Sequence, residues 1–143
     1  MAATNDRGLR NAESTQRLRR LVARLGDADL LHSLGGGWTV GFALAHLAFW
    51  DARQVAALQR FVRGEPFPLE DLATNAALES IAAAFDSTAV GEAAVAAADE
   101  LDRIVERLSA EQIDALRESG KTYAIERAPH RNEHMRQIED VVG

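Results

Sequence analysis

The segment 40–63 constrains the fold most, because it reads as one long helix with almost nothing polar on its first three turns. Gly64 follows it, and Pro66 and Pro68 prevent the helix from continuing. On a helical wheel one face is an aliphatic stripe, and a second arc carries aromatic side chains around His46. A helix that is apolar on most sides has to be covered by other parts of the protein. The segment therefore predicts a helix that is largely buried.

Composition favours a helical domain and excludes several classes of protein. The chain has 143 residues, of which 47% are hydrophobic but only 6% aromatic, a mix that favours packed helices over a β-sandwich. It has no cysteine, so any metal has to be held by His, Asp or Glu. The net charge of −6 argues against nucleic acid as a partner. The polar N-terminus and the lack of a long apolar run predict a cytoplasmic protein that does not enter a membrane.

Apolar periodicity predicts the remaining helices of a four-helix bundle. Helices are expected over 11–25 and 129–142, with a shorter helix or helical crossover over 71–85. A further helix has its seam at apolar positions four and three residues apart: Val90, Ala94, Ala97, Leu101, Ile104 and Leu108. We expect an all-α, up-down-type four-helix bundle with a long crossover, forming a single domain over 1–143.

Local signals mark where two helices begin. The glycines at 35–37 predict a flexible turn, since the lysine and hydroxyl residue of a phosphate-binding loop are missing. Thr39 follows as an N-cap for the long buried helix. Ser109 and Gln112 fit a capping box, which opens a short helix that ends near Gly120.

Three histidines are the candidate metal ligands. His46 lies in the middle of the aromatic arc, and a buried imidazole has to satisfy two ring nitrogens. His130 and His134 are four residues apart on the last helix, so both rings can point the same way. This spacing is a weak signal by itself, and the alternative is that the rings pack as neutral core side chains. The zinc-peptidase helix is excluded, because it needs Glu where this chain has Arg131.

Five further residues are candidates to support such a site or line its pocket. Asp51 falls within the aliphatic stripe, where it acts either as an acceptor or base for the site or as a partner in a buried hydrogen bond. Trp50 and Arg53 lie on the histidine side of the helix. Trp50 either lines the pocket or packs in the core, and Arg53 either binds a substrate anion or is a surface charge. Gln137 follows the last histidine by one turn. Asn75 either supports the site or hydrogen-bonds across the bundle.

Three short runs carry a wider resemblance: Gly37-Trp38-Thr39-Val40, Ala45-His46-Leu47-Ala48-Phe49-Trp50-Asp51 and His130-Arg131-Asn132-Glu133-His134. Together with the order of the helices, they resemble the DinB-like proteins, which include the N-terminal domain of mycothiol-dependent maleylpyruvate isomerase. The resemblance covers essentially the whole chain. It implies a bundle that holds zinc or nickel on His46, His130 and His134, and it places Asn75 where the family often has Asn.

The resemblance also implies a function, because characterised relatives include thiol-cofactor-dependent transferases and isomerases. We expect a metal-dependent enzyme acting on a small molecule, either a hydrolase or a thiol-cofactor-dependent transferase or isomerase. Any thiolate has to come from a low-molecular-weight thiol, since the chain has no cysteine. Two alternatives stay open. One is a non-catalytic metal- or ligand-binding stress-response protein, and the other is a structural helical dimer whose histidines are neutral core residues. A homodimer is compatible with each of these functions.

Overall fold

The computed structural model describes residues 2–68, 74, 78 and 88–142. Within them lie five α-helices: α1 (Ala2–Arg24), α2 (Val40–Val62), α3 (Val90–Arg107), α4 (Ala110–Glu118) and α5 (Ala128–Val142). Single 3₁₀ turns at Asp29–Leu31 and Thr122–Ala124 and a small hairpin, β1 (Ser33–Gly35) and β2 (Trp38–Thr39), complete the described elements.

The four long helices pack into the predicted all-α bundle. The helix α2 lies against α3 and α5, and α1 lies against the same two helices. The first three turns of α2 are buried almost without interruption, as the lack of polar residues there predicts. One apolar cluster joins α1, α2, α3 and α5, and a second joins the far ends of α2 and α3 to α4. No helix in the described part of the chain is long and apolar enough to cross a bilayer.

Several predicted boundaries differ from the observed ones. Helix α1 begins at Ala2, well before residue 11, because its first turns carry no apolar period that would reveal them.

The predicted seam of α3 is wrong in part: Ala97 and Ile104 are only half-buried, while Val95, Ala98 and Val105 are buried. Because α3 packs against both α1 and α2, its buried face is wider than the seam of a two-helix pair and is centred differently.

Two further predictions concern the segment between α2 and α3 and the start of α4. The helix predicted over 71–85 lies outside the described residues, apart from Thr74 and Leu78. The capping box is confirmed, since Ser109 and Gln112 bond reciprocally at the start of α4. The segment between α2 and α3, residues 63–89, is described only in part, so the long crossover stays a prediction.

A glycine-based hairpin leads into α2. Gly35, Gly36 and Gly37 have φ angles of 92°, 61° and 84°, which side-chain-bearing residues rarely adopt. The predicted flexible turn is therefore part of a short antiparallel ladder between β1 and β2. Thr39 is the N-cap, as predicted, and its Oγ1 accepts a hydrogen bond of 3.1 Å from the backbone N–H of Phe42. The hairpin places Trp38 directly beside the first turns of α2.

The start of α5 is fixed from α1. The side-chain oxygen of Asn11 accepts hydrogen bonds from the backbone N–H groups of Arg127 and Ala128, at 2.9 and 3.1 Å. The amide nitrogen of the same side chain donates to the carbonyl of Ile125 at 2.8 Å. These bonds satisfy backbone groups that a helix start would otherwise leave unpaired. They also set the position of the two histidines that follow on α5.

A buried ionic network ties α5 to α2 and α3. Asp51 on α2 is 1% exposed, and its two oxygens accept hydrogen bonds from Arg127 Nε at 2.8 Å and Arg131 Nε at 2.9 Å. Arg131 is fully buried and also donates to Asp102 on α3 at 2.9 Å. Two arginines therefore face two aspartates, and the network as a whole is neutral. Asp51 therefore takes part in a buried hydrogen-bond network, and Arg127 extends this network to His130.

Replacing Asp51 by asparagine should cost the protein much of its stability. The change leaves two buried guanidinium groups short of their counter-charge, and breaking a buried pair costs about 3–5 kcal/mol. Asp99→Asn is the matched control, because its ion pairs with Arg19 and Arg103 are exposed and should contribute less than about 1 kcal/mol. Urea unfolding of both variants measures the difference. Equal losses of unfolding free energy would contradict a central role for the network.

Candidate metal centre

The bundle brings the three predicted histidines together. His46 lies on the second turn of α2 and is 6% exposed, whereas His130 and His134 lie half-buried on α5. One ligand nitrogen from each ring lies within 4.8 Å of the other two. The Nε2 atoms of His46 and His130 are 3.2 Å apart. Two helices that are distant in sequence thus supply the donors of one compact cluster.

The donor set fits a divalent metal. Two nitrogens that bind one zinc tetrahedrally at about 2.0–2.1 Å lie roughly 3.3 Å from each other. The observed separation of 3.2 Å between His46 and His130 matches this value. Three imidazoles are a ligand set that suits zinc or nickel, and they leave positions open for a further ligand. Among the His, Asp and Glu side chains of the described residues, these three histidines have ligand atoms close enough together to bind one metal ion.

The surroundings keep the three rings neutral. Burial, followed by the charges of His134 and Arg127, lowers the pKa of His46 from 6.5 to about 4. Burial and the Arg127 guanidinium lower the pKa of His130 to about 2. The pKa of His134 is also lowered by burial, although its bond to Gln137 opposes the shift. Neutral imidazole is the form that binds a metal, so at neutral pH no proton has to be displaced from a charged ring.

Aromatic side chains enclose the cluster. The indole of Trp38 stacks on the His134 ring, with centroids 5.7 Å apart and planes 14° from parallel. The same indole lies 4.9 Å from the centroid of His46, and Trp50 lies 6.4 Å from it on another side. These contacts restrict the orientation of the rings.

A cavity of about 530 Å³ opens beside the cluster. His46 and His130 form part of its wall, so a molecule in the cavity is next to two of the three candidate ligands. Other wall residues include Trp50, Gln54, Tyr123, Glu126 and Arg127. The volume lies within the range of small-molecule sites, about 300–1,000 Å³.

The other predicted site residues differ in whether they contact the histidine cluster or its cavity. Gln137 contacts the cluster directly, since its Oε1 lies 3.0 Å from Nδ1 of His134 and accepts that N–H. Trp50 is both buried and part of the cavity wall. Arg53 lies over the Trp50 ring at 5.7 Å and outside the cavity wall. Asp51 meets the cluster only through Arg127, and Asn75 lies outside the described residues.

Arg127 is one of the site residues that the sequence did not reveal. Its Nε bonds to Asp51, its Nη1 donates to the Tyr123 carbonyl at 2.8 Å, and its Nη2 lies 3.2 Å from Nδ1 of His130. A usable signal was present: a carboxylate within an apolar stripe needs a cation, and Arg127 and Arg131 flank the first histidine of α5. Only the fold shows that both arginines reach the same aspartate.

The lowered histidine pKa values predict how the metal-free protein responds to acid. An unfolded histidine has a pKa of about 6.5, so between pH 6.5 and about 4 the unfolded chain binds more protons than the folded one. The unfolding free energy should therefore fall as the pH is lowered from 7 to 5. Urea unfolding in the presence of a chelator measures this slope. His46→Leu should reduce it, and His32→Leu, at an exposed position, should not. A slope unchanged in His46→Leu would contradict the buried, neutral state of that ring.

Comparison with known proteins gives the family. A model of the DinB superfamily matches residues 10–138, which include the three histidines, all of α2 and most of α5. Searches of the curated proteins and of the solved structures gave no match. Since the family match extends over nearly the whole chain, this helical bundle belongs to the DinB superfamily.

Proposed function

We propose that His46, His130 and His134 hold a divalent metal, zinc or nickel, and that the protein is an enzyme acting on a small molecule in the adjacent cavity. The observation that carries the proposal is the convergence of three neutral imidazoles beside a cavity with two of them in its wall. Membership of the DinB superfamily supports the same assignment. A bound metal would lower the pKa of a water or thiol ligand and so provide a nucleophile at neutral pH.

The chain's own residues perform the binding and orienting steps. Gln137 accepts the Nδ1–H of His134, which leaves Nε2 of that ring as the donor. Trp38 packs against His134 and Trp50 packs against His46, and these contacts restrict the orientation of the two rings. The cavity admits the substrate from the side of His46 and His130. Hydrolysis and thiol-linked transfer are the two reaction classes that we propose, and the thiol of the second would come from a low-molecular-weight cofactor.

A structural role for the histidines is the main alternative, because His46 and His130 lie within hydrogen-bond distance of each other. Elemental analysis of untagged protein distinguishes the two roles. The wild type should contain near-stoichiometric zinc or nickel, and His134→Ala should lose it, since only two imidazoles then remain. His32→Ala is the matched control, because the His32 side chain is exposed and is not one of the three clustered rings. Wild-type protein that takes up neither metal, even after incubation with both, would leave the histidines as core residues.

Gln137 should tune the metal affinity without being a ligand. Removing the acceptor that orients a metal-binding imidazole typically weakens binding about 10–100-fold. We expect Gln137→Leu to weaken zinc binding by that factor in a competition assay with a coloured chelator. Gln16→Leu, on the exposed face of α1, should leave the affinity unchanged. An unaltered affinity in Gln137→Leu would show that the contact with His134 has no part in metal binding.

A further inference from the structure

The three rings of the cluster are not equally ready to bind a metal. His134 donates its Nδ1–H to Gln137, so its Nε2 has a free lone pair. His130 has a different neighbour: Nη2 of Arg127 lies 3.2 Å from its Nδ1. A guanidinium can only donate hydrogen bonds, so Nδ1 of His130 must be the acceptor. In the neutral ring the proton of His130 is therefore on Nε2, the atom that faces the cluster.

The position of His46 agrees with this assignment. Its Nε2 lies 3.2 Å from Nε2 of His130, and one of the two atoms has to donate. Since His130 carries its proton there, His46 accepts and carries its own proton on Nδ1. That Nδ1 has no hydrogen-bond partner within the described residues. His46 and His134 thus have the tautomer that a metal on Nε2 needs, whereas Arg127 holds His130 in the other one.

We propose that Arg127 couples metal binding at the three histidines to the binding of a carboxylate-bearing small molecule in the cavity. The proposal rests on the metal site proposed above. A metal held by all three Nε2 atoms requires the proton of His130 to be on Nδ1, and this N–H cannot face a guanidinium donor. Metal binding therefore breaks the contact between Arg127 and His130. Arg127 is a residue of the cavity wall, and its Nη2 group then becomes available to an anion.

The remaining bonds of Arg127 keep it in place during this exchange. Its Nε stays on Asp51 and its Nη1 stays on the Tyr123 carbonyl, both at 2.8 Å. Only Nη2 changes partner, so the group released is one oriented N–H donor at a fixed position. Because this N–H belongs to a charged group, a hydrogen bond from it to a carboxylate oxygen is stronger than a bond between neutral groups.

Charge balance favours the same occupant. The ionic network is neutral, because Asp51 and Asp102 offset Arg127 and Arg131. The three imidazoles are neutral as well, so a bound dication would add two positive charges, which the exposed Glu133 beside His134 offsets only in part. Glu126, a carboxylate in the cavity wall, lies 3.6 Å from the buried Arg7 and is offset by it. An anionic ligand would therefore be stabilised by the metal and by Arg127 together.

Imidazole ¹⁵N spectra of the wild-type protein at pH 7 test the first step. In metal-free protein His130 should be protonated on Nε2, and after zinc is added it should be protonated on Nδ1. The His130→Gln variant assigns the signals. Metal-free His130 already protonated on Nδ1 would overturn the proposal. Zinc-loaded His130 that lacks a proton on Nδ1 would overturn it too, because the contact with Arg127 would then persist.

The coupling itself is tested with acetate as the probe and acetamide as its uncharged match. Acetate should bind at least about tenfold more tightly to the zinc-loaded protein than to the metal-free protein, and acetate should raise the zinc affinity by the same factor. Acetamide should show no such effect. Arg127→Lys keeps the charge but has one nitrogen in place of the three of the guanidinium. In this variant the ratio of the two acetate affinities should fall below about twofold.

The outcomes separate this inference from the proposed function. Full coupling in a folded Arg127→Lys variant would mean that acetate binds the zinc alone, and it would overturn the role of Arg127. If that variant does not fold, the ¹⁵N spectra of the wild type decide. Zinc uptake with an unchanged acetate affinity would overturn the coupling but leave the metal centre intact. A wild-type protein that takes up no zinc would remove both.

Discussion

The carboxylate of Asp51, held between Arg127 and Arg131, is the interaction on which the rest of the site depends. It joins α2 to α5, and these are the two helices that supply the metal-ligand candidates. Asp51 lies five residues after His46, and its partners flank His130, so the ion pairs and the histidine cluster share one interface. Burying four charges is costly unless each is paired, and here every charge has a partner. The network sets the register of α5 against α2 where an apolar contact would allow small shifts.

Much of this arrangement could be predicted from local patterns in the sequence. The end of α2 follows from Gly64 and the two prolines after it, and the spacing of His130 and His134 places both rings on one face of α5. The buried nature of α2 follows from its lack of polar residues, and the position of Trp50 beside His46 follows from the helical wheel. Each of these inferences needs only residues that are close together in the chain.

The parts that escaped prediction depend on contacts between distant segments. Arg127 and Arg131 look like ordinary surface charges until Asp51 is brought to them from a helix nearly eighty residues earlier. The cap that Asn11 gives to α5 crosses more than a hundred residues. The strands of the hairpin are too short to show a period, and the buried face of α3 depends on which two helices cover it. The apolar periodicity of a helix shows that one of its faces is buried, but it does not show which segment covers that face.

The stacking of Trp38 has a practical consequence for spectroscopy. The chain contains two tryptophans, and both indoles lie against His46 or its immediate neighbours. The near-ultraviolet signal and the intrinsic fluorescence of the folded protein therefore originate almost entirely at the histidine cluster. A change in emission on adding an ion or a small molecule would report on a few ångströms around these rings. Because global unfolding would expose the same indoles, a probe of the backbone is needed beside the fluorescence to tell unfolding from a local change.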